Sequence, residues 1–176
     1  MKITALQEYG VRILLQLAER QSDIPVRTRM IASMEALSVD YVEKILTRLR
    51  KEGLVKSVRG LNGGYILSRK PEKIYLSQAF SALTEKPIQL NHIKRDLCGQ
   101  FPGNQNSCVH LRGCAVRQMW SVVIIQIYNH LNKLTLSDLL GTETVVQQRL
   151  LNTFSKNQTP ALKVGDEPIL AGEVKF

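Results

Sequence analysis

All three cysteines of this 176-residue chain, Cys98, Cys108 and Cys114, fall in one short stretch. Between them lie Gly99, Pro102, Gly103, Asn104, Asn106 and Gly113. These residues break helices and make turns, so a loop is predicted that can gather three sulfurs around one point. An odd number of cysteines argues against a closed disulfide framework, and no pair has the CxxC spacing of a zinc finger. Three thiolates with one position left open suit an iron–sulfur cluster, whose irons prefer soft sulfur ligands. Two other readings stand beside it: zinc held by the three cysteines and His110, and three unliganded surface thiols, which would be oxidation hazards.

The elements that would carry such a loop read as a mainly helical protein. The composition is 44% hydrophobic and 22% charged, ordinary for a water-borne fold, and no run of 18 apolar residues suggests a membrane span. The first residues run straight into a helical pattern without a signal-peptide core, so a cytoplasmic setting with reduced thiols is expected. The net charge is +9, and residues 1–73 carry most of it, with 14 Lys and Arg against 8 Asp and Glu. A basic segment is the expected footprint of a polyanion.

Thr4 and Gln7 fit a capping box. Leu6, Tyr9, Ile13, Leu14 and Leu17 then repeat at helical spacing to about Ala18, with Glu8 off the stripe as a first-turn acid. A short helix is predicted over 28–35, a tight turn at Ala36-Leu37, and a second helix from Val39 to Glu52 with Ser38 as its cap. Gly53 stops that helix in a Schellman ending with Leu54. Two short helices around a brief turn are the sequence form of a helix-turn-helix. The second helix exposes Asp40, Tyr41, Glu43, Lys44, Thr47, Arg48 and Lys51, side chains able to reach base edges and phosphates. Strands at 54–59 and 65–68 follow, joined by Gly60-Leu61-Asn62-Gly63-Gly64 with its Asn-Gly hairpin signal. A basic hairpin after a recognition helix is a wing, and Arg59 sits where it could enter a minor groove.

Ser38, Tyr41-Val42-Glu43, Leu46, Leu49-Arg50-Lys51, Gly53-Leu54-Val55, Ser57-Val58-Arg59-Gly60, Gly63-Gly64-Tyr65 and Leu67 together closely resemble the winged-helix bacterial regulators typified by the iron–sulfur cluster regulator IscR and the nitric-oxide-sensitive repressor NsrR. The resemblance runs from near Ile3 to about Gly141, and the Arg-Gly-x-x-Gly-Gly-Tyr wing is its most specific part. It implies a homodimeric regulator, usually a repressor, that binds a palindromic operator in double-stranded DNA with an affinity set by a bound cluster. It implies that Tyr41, Glu43 and Lys44 lie in the major groove, Glu43 on cytosine edges, and Arg59 in the minor groove. Arg27, Thr28, Ser38, Arg48, Lys51, Ser57, Gly60 and Gly63 complete the expected DNA-binding set.

The cysteine spacing leaves 2Fe–2S and 4Fe–4S both open. The family's cluster-assembly regulators add a histidine three residues after the third cysteine, where this chain has Arg117. Its nitric-oxide and redox sensors use an acid of the first helix of the partner subunit, and the matching residue is Glu8. His110 and His92 are rival ligands.

After a helix predicted over 78–83 and the linking region 87–95, in which Leu90 and Ile93 are expected to be buried, the longest apolar helix should run from Ala115 to Leu134, about 30 Å. Its stripe is Val116, Met119, Trp120, Val123, Ile124, Ile127, Leu131 and Leu134, widened by Val122 and Ile125. That exceeds the needs of one domain and suits a dimer interface through Trp120, Val123, Ile124, Ile127 and Leu131. Thr135 to Asp138 should cap a short turn ended by Gly141, with a further helix over 142–155. The expected organisation is therefore a winged helix-turn-helix head over 1–84, a cluster-binding loop over 85–114, a dimerisation helix and following short helices over 115–155, and a tail over 156–176. Nothing resembles a catalytic Cys/His/Asp constellation or a phosphate-binding glycine loop, so an enzyme is not expected. A cluster-free regulator governed by thiol chemistry or a protein partner is the remaining alternative.

Overall fold

The first helix begins where its sequence says it should. In the computed structural model, which describes residues 3–20, 24–60, 62–84 and 114–155, Thr4 accepts from the Gln7 amide while the Gln7 side chain accepts from the Thr4 amide, a complete capping box. Helix α1 (Ala5–Glu19) then buries Gly10, Ile13, Leu14 and Leu17. Helix α2 (Thr28–Glu35) and helix α3 (Val39–Lys51) follow. Val42, Ile45, Leu46 and Leu49 of α3 are fully buried against α1 and Ile31 of α2.

The turn between α2 and α3 has an unusual cost. Ala36 is the one non-glycine residue with positive φ among those described, at 52°. Its amide bonds to Ser33 O and that of Leu37 bonds to Ala32 O at 2.9 Å, the hydrogen-bond pattern of a Schellman ending. Helix α3 ends in the same way on a glycine. Leu54 N–H donates to Leu49 O at 2.9 Å and Gly53, with φ 66°, donates to Arg50 O at 3.0 Å.

The wing consists of β1 (Val55–Val58) and β2 (Gly64–Leu67), antiparallel, with Val55 opposite Leu67 and Val58 opposite Gly64. The Asn62-Gly63 pair does not make the expected two-residue turn. That geometry needs positive φ at both positions, and neither has it; the left-handed residue is Gly60, at 114°, whose carbonyl accepts from Gly63 N–H at 2.9 Å. A third segment joins the hairpin, because Val26 and Tyr65 exchange both backbone hydrogen bonds at 2.9 Å.

A 3-10 turn (Pro71–Lys73) leads to α4 (Leu76–Ala82), two residues earlier than the sequence pattern places it. Gly10 lets α4 approach α1: a Cβ there would collide with the Leu83 side chain. Helix α5 covers Ala115–Leu131, so it stops three residues short of the expected Leu134 and spans about 25 Å. The reason is that Leu134 belongs to the head. Its carbonyl accepts from Leu76 N–H at 2.9 Å, Leu136 N–H donates to Ile74 O at 2.8 Å, and Leu134 and Leu136 are buried in the same core as α1 and α3. A 3-10 turn (Leu136–Leu139), boxed by Thr135 and Asp138, and helix α6 (Glu143–Ser155) complete the described residues. The fold is thus mainly helical with a two-stranded wing, and its head core includes residues from beyond the expected boundary at 84.

The left-handed alanine yields a stability prediction. The left-handed conformation costs a non-glycine residue roughly 1–2 kcal/mol, against about 0.4–1 kcal/mol of added unfolded-state entropy for glycine. Ala36→Gly should therefore stabilise the chain by about 0.5–1 kcal/mol, raising Tm by about 1–4 °C. A fall in Tm on calorimetry would show that the turn is not strained.

Candidate nucleic-acid interface

Helix α3 presents Asp40, Glu43, Lys44, Thr47, Arg50 and Lys51 to solvent on the side opposite its buried stripe. Ser38 caps the helix by accepting from Tyr41 N–H at 3.3 Å. Arg48 is half-buried. Tyr41 is half-buried too, and it leads into an interaction chain that the sequence pattern did not reveal. Its ring meets Tyr9 of α1 edge-on, with centroids 6.1 Å apart. The Arg12 guanidinium carbon lies 5.7 Å from the Tyr9 centroid, and Arg12 Nε is 2.7 Å from Glu35 Oε2, on a carboxylate whose side chain is 3% exposed. That oxygen has no aligned hydrogen-bond donor, so the contact is charge pairing without a directed bond. Breaking a buried pair from one side leaves an uncompensated charge, which makes Arg12 structurally demanding. The chain Glu35–Arg12–Tyr9–Tyr41 joins α2, α1 and α3 just beneath the candidate base-reading face.

At the wing, Lys56, Ser57, Arg59, Gly60 and Asn62 are exposed. Arg27 Nη2 donates to Asn62 Oδ1 at 3.4 Å, so the entry of α2 touches the wing tip. Thr28, the first residue of α2, is half-buried. Gly63 and Gly64 are demanded by close approach: a Cβ on Gly63 would sit 2.5 Å from Val58 O, and one on Gly64 would strike the Val26 carbonyl. The glycine pair was legible as a wing signal; the cause of Gly64, the Val26 segment laid against the hairpin, was not.

The cysteine cluster is described only at its last member. Cys98 and Cys108 lie outside the described residues, as do His92, Leu90, Ile93 and His110. Cys114 is a free thiol, half-buried, at the N-cap of α5, and its Sγ accepts from Arg117 N–H at 3.4 Å. The positive end of the helix thus faces a sulfur that would carry negative charge as a metal ligand. Glu8 is exposed on the first turn of α1. No group of three or more His, Cys, Asp or Glu side chains comes together among the described residues.

Helix α5 divides its apolar residues between two faces. Val116, Met119, Trp120, Val122 and Val123 are exposed, and 116, 119, 120 and 123 share one face. Ile124 is only 5% exposed and packs on Ile125 and Tyr128, while Leu131 packs on the head core. Burial pushes the Tyr128 phenol above its usual range. Ile127 is half-buried. No described helix is long and apolar enough to cross a membrane.

Residues 3–142 match the family profile described as Rrf2, iron-dependent transcriptional regulator. The chain is similar to the protein rrf2 of Nitratidesulfovibrio vulgaris Hildenborough, at 32% identity over 152 residues, covering 86% of this chain and 95% of that one. Two solved structures resemble it with a TM-score of 0.62 each. The T. potens IscR is 30% identical, over 80% of this chain and 86% of that one. The B. subtilis CymR (YrzC), described as the global cysteine regulator, is 29% identical, over 79% and 95%.

The exposed face of α3 and the wing should fail differently when altered. Arg59→Ala should weaken binding to every duplex, by roughly 1–3 kcal/mol if its guanidinium enters a groove. Glu43→Ala should instead relax base preference, since a carboxylate can accept from a cytosine amine. Titrations on specific and random duplexes separate the two, and equal losses on both for Glu43→Ala would remove it from base reading.

Proposed function

Because the chain belongs to the Rrf2 family of transcriptional regulators, we propose that it is a homodimeric, operator-binding repressor whose DNA affinity is governed by an iron–sulfur cluster on Cys98, Cys108 and Cys114. The observation that carries this reading is the position of Cys114, an unpaired thiol at the head of the long helix, in a chain whose three cysteines all fall within 17 residues. The donor set fits the group, since three thiolates are ligands that such irons prefer. Glu8 of a second copy is proposed as the exchangeable fourth ligand, with His110 its rival. When bound, the cluster supplies iron that reacts with oxygen or nitric oxide and can change redox state.

The chain's own residues supply the coupling. Cys114 starts α5, and α5 reaches the head core through Leu131. Glu8 stands one residue before Tyr9 and one turn before Arg12, and those two contact Tyr41 and Glu35 of the helix-turn-helix. Helix α1 is therefore packed directly on the helix-turn-helix, and α5 on the core that α1 and α3 share. Dimeric readers of this kind meet half-sites about 34–36 Å apart, so a small rotation of α1 or α5 changes whether both recognition helices fit. A ligand can shift that balance only by its differential affinity for the two arrangements. The described geometry of the pairing face favours Trp120 and Val123, which are exposed, over Ile124, which the chain already covers.

The likeness to CymR, described as a cysteine regulator, favours one other reading: control of the same DNA-binding head through thiol chemistry without a cluster.

Purification without oxygen followed by visible spectroscopy separates the two readings. Absorption in the iron–sulfur region, abolished by Cys98→Ala, Cys108→Ala or Cys114→Ala, is the expected result; a colourless, iron-free protein that still binds DNA would leave the thiol reading. Glu8→Ala should retain the cluster, change its spectrum and speed its loss. If His110→Ala does this and Glu8→Ala does not, the fourth ligand is His110. Val123→Lys should give monomers with a folded head in sedimentation, because it places a charge in the proposed pairing face. A wild-type chain already monomeric at micromolar concentration would overturn the dimer.

A further inference from the structure

Arg69 lies just past the end of β2, outside the set of residues proposed to touch DNA, and it is tied to three separate segments. Its Nη1 donates to Gly53 O at 3.1 Å, its Nε to Lys73 O at 2.8 Å and its Nη2 to Gln78 Oε1 at 2.7 Å. Gly53 is the left-handed residue that ends α3, two residues before β1. Lys73 closes the 3-10 turn, and Gln78 lies in the first turn of α4, where its Oε1 also accepts from Tyr75 N–H at 3.2 Å. The neighbouring Ser68 adds an Oγ–H bond to the same Gly53 carbonyl, and its amide donates to Leu54 O at 3.0 Å.

We propose that Arg69 is the positioning residue that fixes the angle between the wing and the recognition helix, and so sets operator affinity without touching DNA. The wing leaves α3 through Gly53, a residue without a side chain to restrain it and with nothing near its Cβ position. A glycine there is a hinge by constitution. Arg69 joins the wing's exit to that hinge and anchors both on α4. All three guanidinium nitrogens are used, in three directions set by a rigid plane. A lysine ammonium, a compact charge on a flexible stem, cannot reproduce that arrangement.

The proposal rests on the reading of α3 and the wing as the DNA-binding surface, and the experiment keeps the two apart. The full-length chain is titrated with an operator selected from random duplexes and with a random duplex of equal length, over a range of salt. Arg69→Lys, which keeps the charge, should lose about tenfold on the operator, as should Arg69→Ala. Both should lose a similar factor on the random duplex, because Arg59 serves every duplex and a misplaced wing withholds it from all of them. Arg59→Ala should cost about tenfold in the wild-type background and under about twofold beside Arg69→Lys, because a misplaced wing no longer delivers Arg59. Wild-type operator affinity in Arg69→Lys would overturn the proposal. So would a salt slope lower by about one in Arg69→Ala than in the charge-keeping Arg69→Lys, the mark of a direct phosphate contact by Arg69. Additive losses with Arg59→Ala would overturn it as well. If Arg59→Ala alone has no effect, the minor-groove assignment fails, and Arg69→Lys decides without it: a loss on the operator supports the clamp, and wild-type affinity overturns it. Circular dichroism checks folding. Should Arg69→Lys fail to fold, Gln78→Ala, which removes one acceptor, decides instead: an operator loss that is not additive with Arg59→Ala supports the clamp, and unchanged operator binding overturns it.

Discussion

Two backbone hydrogen bonds, Leu76 N–H to Leu134 O and Leu136 N–H to Ile74 O, close the head of this protein from outside its own sequence span. They make an isolated bridge between Tyr75 and Thr135 and draw Leu134 and Leu136 into the core that α1 and α3 share. Buried backbone groups must be paired, so this junction is not free to slide. Helix α5 consequently leaves a fixed point on the head, and Cys114 at its far end is held at a fixed reach from that point. Had residues 115–155 formed a body of their own, a change at Cys114 would have had a hinge to cross before it reached α1 and α3. No such hinge separates α5 from the head core.

The opposite side of the head shows the same economy of connection. Helix α1 is too amphipathic to be only a core element. Its inner face carries Ile13, Leu14 and Leu17, while Tyr9 and Arg12 form a polar seam with Tyr41 and Glu35. A buried ion pair adds little net stability, but it penalises arrangements in which either partner is left alone. Here it selects one placement of α1 on the helix-turn-helix. Gly10 allows the close packing of α4 that supports the same placement.

Much of this was legible in the residues. Thr4 with Gln7, Ser38, Gly53 with Leu54, and Thr135 with Asp138 are local signals whose hydrogen bonds close within a few residues, and each formed as read. The wing was legible from its glycines, though for an incomplete reason: Asn62-Gly63 suggested a tight turn of its own, whereas Gly60 bends the chain and Val26 explains Gly64. Val26 was invisible because its pairing is set by a distant partner, and a single valine after a proline gives no period to detect. Leu134 was misplaced on the α5 stripe for the same reason. Its spacing fits the helix, and only the carbonyl demand of Leu76 takes it elsewhere. Arg69 had no local signature, since its three acceptors are two main-chain carbonyls and one glutamine. The cysteine cluster was legible as chemistry, and Cys114 alone of the three can be given surroundings.

The glycine pair at the wing has an evolutionary corollary. Gly63 and Gly64 are pressed against main-chain carbonyls, which cannot rotate aside as a side chain can. Those two positions therefore offer almost no mutational freedom, and a lineage of such proteins adapting to a new operator could not do so by decorating them. On the proposed reading, change would enter through the exposed positions beside them, such as Arg59 and Asn62, or through the solvent-facing positions of α3. On that reading the glycine pair is a fixed support, and inherited variation in what the protein reads falls on the residues around it.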